Sequence, residues 1–289
     1  MLWIALSLVS AMAQVARNAT MKRLGHELDE YINVLGRFVF ILPFAAAVAA
    51  AREAPAIRPD FLWACLLFGI CQTAGTIALS KALLYGNIGM VTSLWKTSIV
   101  WLVILAFFTL GEVPSWLGLA GIAVAMVGVY GLNASRARIS FWEPIRVLFT
   151  DRGLRYTLLS GLLYAPAVVT FKWAALASNG PVGTLGTYSA AALCTLPIAL
   201  WKSARHFRQI PRLWKGFVGL GLFAAINSLA LAEAYQMTLT SYVESVKHTE
   251  ILFAILAGYL FFGERERLME LTAGGSLILG GILLLVLGG

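Results

Sequence analysis

Runs of about twenty apolar residues recur along this chain, and no other feature limits its fold so strongly. A hydrocarbon core ~30 Å thick needs ~20 helical residues to cross it. Ten segments meet that length, at about 2–22, 31–51, 61–84, 88–110, 115–133, 154–177, 181–201, 214–238, 241–262 and 268–287. The runs are continuous and do not alternate, which favours helices over barrel strands. A soluble globule carries roughly a quarter charged residues; this chain has 12% charged and 60% hydrophobic. The longest polar interruption, 133–155, is too short to bury a core of its own. The expectation is an all-α integral membrane protein that crosses the membrane ten times. The first span starts almost at once without a basic leader or a cleavage site, so it is expected to be retained.

An internal repeat organises the spans. LWKTSIVWLVILAFFTLGE (94–112) matches VKHTEILFAILAGYLFFGE (246–264) at an offset of 152 residues, and LSKALLYGN (79–87) matches LAEAYQMTL (231–239) at the same offset. Leu35-Gly36 and Leu185-Gly186, and Thr20 with Lys22 against Thr170 with Lys172, align at 150. The chain therefore reads as a five-helix half at 1–133, a basic interfacial linker at 134–153, and a second five-helix half at 154–289. Five is odd, so the second half enters from the opposite face. Inverted repeats of this kind belong to many secondary transporters, whose sites lie near the midplane between the halves.

Charge adds an orientation. The net charge is +8, which in this apolar context points to loops facing anionic lipid rather than to nucleic acid. Fourteen basic residues, from Lys22 and Arg23 to Arg265 and Arg267, fall in linkers on one side, against Arg52 and Arg58 on the other. The positive-inside rule places the richer side in the cytoplasm and both termini outside. Within the linker, 140–149 mixes Trp142, Ile145, Leu148 and Phe149 with Glu143 and Arg146, as an interfacial helix does. Cys65, Cys71 and Cys194 all fall in apolar runs and are expected to be free thiols.

Ionisable residues inside spans disfavour hydrocarbon by ~2.5–3.5 kcal/mol on insertion scales and mark functional sites by default. The ninth span carries Glu244, Lys247, His248 and Glu250. Spacings of three and four put Glu244 with Lys247 and His248, and Lys247 with Glu250, on common helical faces where they can neutralise one another. Glu250, nearest mid-span, has the setting of a proton-coupling group, with His248 beside it. The fourth span holds Lys96 and Trp95 in the corresponding register, with Ser98 in place of Glu250. A lone cation opposite an acid–base cluster suits an anionic or zwitterionic solute, and Trp95 and Trp101 offer stacking surfaces. Gln14, Gln72, Tyr164 and Asn227 add polar groups at depth, and Pro166 could open the sixth span. Arg17 and Asn18 lie one turn beyond Gln14, while Arg37 reads as structural. Thr73, Thr76 and Ser228 read as glue between helices. Gly118, Gly121, Ala125 and Gly128, with Thr272, Ser276 and Gly280, form small-residue stripes suited to packing between halves or in a homodimer.

No P-loop, HExxH or nucleophile-elbow spacing occurs, so neither catalysis, a cofactor nor a metal is expected. LGRFVF (35–40), the paired helix ends Leu110-Gly111-Glu112 and Phe262-Gly263-Glu264, and the two five-span halves resemble EamA-type transporters of the drug/metabolite transporter (DMT) superfamily. That resemblance implies a basket with a cavity lined by spans 1, 3, 4, 6, 8 and 9, and with spans 5 and 10 at the periphery. It also implies both termini in the cytoplasm, opposite to the charge count, and export of amino acids, metabolites or drugs. AQVARNATMK (13–22) is similar to the first helix of the small multidrug resistance proteins, where a glutamate binds protons and cationic drugs. Gln14 occupies that position here, so any proton site must move, to Glu250 or His248.

The function expected from the sequence is a proton-linked secondary transporter of a small polar or zwitterionic metabolite in a bacterial-type inner membrane. Its partners would be that small molecule, protons and membrane lipids. Translocation of a lipid or polyprenyl phosphate is one alternative. A non-transporting assembly subunit, sealed and with every charge paired, is the other.

Overall fold

The computed structural model describes residues 2–95, 98, 101, 116–131, 142–237, 243, 246–263 and 268–287. Among them every regular element is a helix and there is no strand. In chain order these are α1 (Leu2–Gly25), α2 (Glu30–Phe40), α3 (Leu42–Ala50), α4 (Phe61–Tyr85), α5 (Ile88–Trp95) and α6 (Trp116–Gly131). There follow α7 (Glu143–Thr150), α8 (Arg152–Leu176), α9 (Gly180–Ser203), α10 (Trp214–Met237), α11 (Glu250–Phe262) and α12 (Leu268–Leu287). Among the described residues five stretches are long and apolar enough to cross a membrane: Glu30–Ala50, Phe61–Tyr85, Arg152–Leu176, Gly180–Gln209 and Trp214–Met237.

Local chemistry sets the helix ends. Asp29 accepts from the backbone N–H groups of Tyr31 and Ile32, Asp151 from Leu154, and Asn179 from Val182; each satisfies an otherwise orphaned donor. Gly263 ends α11 with φ 64°. Only glycine enters that left-handed region without a steric penalty, which explains the Phe-Gly-Glu ending. α2 and α3 divide at Ile41, two residues before Pro43, because proline lacks the N–H that would continue the ladder. Pro166, expected to open its span, instead lies within continuous α8. The hydroxyl of Thr170 donates to its carbonyl at 2.9 Å.

Three pairings are the most extensive: α1 on α10, α4 on α8, and α6 on α12. α9 closes against both α2 and α4, and α11 lies on α5. The central core is aromatic, with Phe68 at 5.4 Å from Tyr188 and 5.6 Å from Phe171 between ring centroids. Thr73 meets the Thr195 hydroxyl at 2.9 Å and donates to the Ala191 carbonyl at 3.1 Å, joining α4 to α9 with bonds worth ~0.6 kcal/mol each. The α6–α12 seam is backbone against backbone: a Cβ on Gly128 would stand 2.7 Å from the Ile278 nitrogen and 2.8 Å from the Gly274 oxygen. Gly280, expected in the same seam, faces open space. The short helix α7 is two-faced, burying Val147 and Leu148 while Trp142, Ile145 and Phe149 stay exposed.

Outside the spans, Asp60 ties the loop before α4 to the end of α8. The Trp173 indole donates to its carboxylate at 2.6 Å and Arg58 pairs with it at 3.0 Å. The Trp173 hydrogen bond, followed by a backbone hydrogen bond and then the Arg58 charge, holds the Asp60 carboxyl below its ordinary value of 3.8. A depressed carboxylate stabilises the fold fully above the unfolded value and loses that contribution as pH falls through the lower folded value. Trp173→Phe should therefore lower thermal stability at neutral pH, and the deficit should shrink below pH 3.8. A deficit that stays constant across an acid titration would separate the effect from Asp60 ionisation.

Candidate functional site

The interior between α1, α10 and α11 holds an unbroken line of polar side chains. Ser10, Gln14 and Arg17 lie on one stripe of α1 at i, i+4 and i+7, and all three are buried. Asn227 of α10 meets them. Its Nδ2 donates to the Ser10 hydroxyl at 2.8 Å, the Ser10 carbonyl at 3.0 Å and Gln14 Oε1 at 3.2 Å. Its Oδ1 accepts from Arg17 Nη1 at 3.1 Å. Gln14 Nε2 in turn donates to Glu250 Oε1 at 2.8 Å. The donors all run one way, from guanidinium through two amides to carboxylate. Aligned bonds polarise one another, so a charge change at one end is felt at the other. Glu250, at 0% exposure, has little water to screen it.

Glu250 owes its position to a break in the backbone. The ninth span, expected as one helix over 241–262, turns at His248 and Thr249, and α11 begins at Glu250. Thr249 N–H bonds the Val246 carbonyl at 3.2 Å and its hydroxyl donates to the same oxygen at 2.8 Å. A threonine hydroxyl that captures a local carbonyl competes with the helical ladder. Ile251 and Leu252 likewise donate to carbonyls three residues back. On the two sides of this turn Lys247 and Glu250 take partners from different helices. Lys247, also 0% exposed, reaches Tyr164 of α8, donating to its hydroxyl at 2.9 Å. Trp95 at the end of α5 packs on the same Tyr164 ring, with centroids 4.4 Å apart. His248 is buried at the turn itself. Trp101 is 36% exposed.

A small cavity of about 20 Å³ lies alongside, lined by Arg17, Arg37, Gln72, Tyr164, Tyr188 and Asn227, with an apolar wall that includes Phe68 and Phe171. That volume admits one water. Gln14, Asn227 and Glu250 thus come together in the relay, and Trp95, Tyr164 and Lys247 in a second cluster. Gln72, Tyr164 and Asn227 share the cavity wall. Lys96 and Glu244 lie outside the described residues. Three further residues belong to these contacts. Ser10 sits one turn before Gln14, and Arg17 and Arg37 are charged residues within spans; the rule that flagged Glu250 applies to both arginines. Thr76, expected as glue, accepts from Arg37 Nη1 at 3.3 Å, and Ser228 donates to the Tyr188 hydroxyl at 2.7 Å.

Apolar helices of membrane length, closed around buried ionisable groups and a polar cavity, define a multi-pass membrane protein with a charged interior. The profile of the EamA-like transporter family matches residues 1–134 and again 151–287. The chain belongs to that family, a group of membrane transporters in the DMT superfamily. No curated protein matches it.

Proposed function

We propose that this protein is a proton-linked secondary transporter of a small polar or zwitterionic metabolite, working by alternating access in a bacterial-type inner membrane. The observation that carries this reading is the relay from Arg17 through Asn227 and Gln14 to Glu250. It joins a cation at the cavity to a carboxylate at a broken helix, and it passes between the two matched segments. Proton and solute then share one polarised path, as coupling requires. Broken helices near the midplane recur at transporter sites, because a half-helix N-terminus presents a positive dipole end.

The ten-span, two-half architecture, divided at 134–153, is part of the proposal. The packing supports it: exchanging first-half and second-half helices turns the α1–α10 pair into α8–α4, and leaves α6–α12 and α5–α11 paired with themselves. That is the pattern of a pseudo-twofold. Rocking about this axis would open the cavity to each side in turn. A sealed assembly subunit with every charge paired fits less well, since Arg37 Nε has no hydrogen-bond partner among the described residues.

The direct test is purified protein in proteoliposomes with an imposed pH gradient and a panel of labelled amino acids and organic acids. One coupled proton allows about tenfold accumulation per pH unit. Accumulation of at least one solute, collapsed by a protonophore, is the expected result. Flux of headgroup-labelled lipid without solute flux would instead establish lipid translocation.

A further inference from the structure

Arg37 is 2% exposed, two turns into α2, and its surroundings are poor in partners. Its Nη1 donates to Thr76 at 3.3 Å, its Nε has no hydrogen-bond partner among the described residues, and its guanidinium carbon lies 5.5 Å from the Phe38 ring centroid. Among the described residues Arg17, also 2% exposed, is held only through amides, those of Asn18 and Asn227. Among the described residues neither arginine forms a salt bridge. Both line the same cavity. Two buried guanidiniums that share one space repel each other and remain poorly solvated, a costly arrangement for a part that only packs. A planar fork of donors is matched by two oxygens of one anionic group.

The other wall of the cavity narrows the choice. Phe68, Phe171, Val168 and Leu231 line it, and Phe171 continues the aromatic cluster to Tyr235 at 6.4 Å. We infer that Arg17 and Arg37 bind the carboxylate of an organic acid whose apolar or aromatic body lies against Phe68 and Phe171. A phosphoryl group offers the same kind of anionic oxygens, but it brings a second charge and a third oxygen to a cavity whose lining also includes Phe68, Phe171, Val168 and Leu231. This assignment rests on the transport reading for the opening of a cavity that holds one water as it stands. It names the substrate class of that site. A carboxylate bound there also touches the cationic end of the relay, so substrate charge and the state of Glu250 are coupled through Asn227 and Gln14.

The test is thermal unfolding of the detergent-purified protein with phenylacetate, hexanoate, their neutral amides, phenethylamine and inorganic phosphate. A ligand stabilises the state it binds in proportion to ln(1 + [L]/Kd). The two carboxylates should raise the unfolding temperature, and the amides and the amine should not. Arg37→Met should weaken carboxylate binding roughly thirty-fold or more, the loss expected when one member of a buried charged contact is removed. The same variant should unfold at a higher temperature than the wild type without ligand, because it deletes a poorly partnered buried charge. A purely structural arginine would give the opposite sign. Arg37→Lys should fall between the two in binding, keeping the charge and losing the fork. The inference is overturned if amides match their carboxylates, if phosphate alone stabilises, or if Arg37→Met is less stable yet still answers to carboxylates. Binding in detergent is independent of proton-driven flux, so failure of one measurement leaves the other reading standing.

Discussion

Glu250→Gln is expected to leave the protein folded and to abolish proton-driven accumulation while sparing exchange of solute for solute. The substitution preserves shape and retains an oxygen to accept from Gln14, whose Nε2 lies 2.8 Å from Glu250 Oε1. On the proposed reading it removes the carboxyl that carries the coupled proton. Wild-type vesicles should concentrate solute up to about tenfold per proton for each unit of pH gradient; the variant should reach only the level set by the solute's own gradient. Counterflow, which needs binding and reorientation but no net proton, should persist. His248→Ala separates the two candidates, since His248 sits buried at the turn two residues away. Uphill transport lost in His248→Ala and kept in Glu250→Gln would move the proton site to the imidazole. Gln14→Leu should harm both activities, because it strips a partner from Asn227 and from Glu250 at once, at ~1–3 kcal/mol for each buried group left short.

The sequence made the polar groups at depth visible, but not the partnerships among them. Glu250, Gln14 and Asn227 stand out because hydrocarbon tolerates few such side chains. Their contacts join residues 236 and 213 positions apart, and no local spacing encodes contacts of that length. On the ninth span, spacing puts Lys247 and Glu250 on one face but does not give their partners on other helices, Tyr164 for one and Gln14 for the other. The break lay with Thr249, which binds its own backbone, and not with Pro166, around which α8 continues. A proline announces itself in sequence; a threonine that competes with its helix does so only once the fold fixes its rotamer. Arg37 reads as structural in the sequence for a related reason. Two turns of depth leaves room for a snorkelling arginine, and only the packed structure shows it 2% exposed and facing the cavity. The helix stops were the easy part, since Gly263 at φ 64° obeys a rule that holds residue by residue.

The largest loss of stability is expected from one methyl group at Gly221. The site depends on how closely α2 approaches α10, because α2 carries Arg37 and α10 carries Asn227. Two glycines set that approach. A Cβ on Gly36 would overlap the ring of Phe217, which is itself stacked on Phe40 at 5.2 Å, while a Cβ on Gly221 would overlap the Phe40 carbonyl oxygen and carbon. A ring can swing aside; a backbone carbonyl on the neighbouring helix cannot move without moving that helix. Gly221→Ala should therefore cost at least the upper part of the ~1–3 kcal/mol typical of overpacking, and Gly36→Ala less. A Cβ on Gly219, two residues away on α10, would meet nothing within 4 Å. Gly219→Ala should be neutral or stabilising, by up to the ~1 kcal/mol that alanine gains over glycine in a helix. Thermal unfolding of the three variants in one detergent gives the order directly. The same series tests whether the seam positions the site: Gly221→Ala protein that still folds should bind carboxylates more weakly, since pushing α2 outward draws Arg37 away from Arg17. Equal stability for Gly219→Ala and Gly221→Ala would mean that the α2–α10 contact is looser than described, and the placement of Arg37 would lose its support.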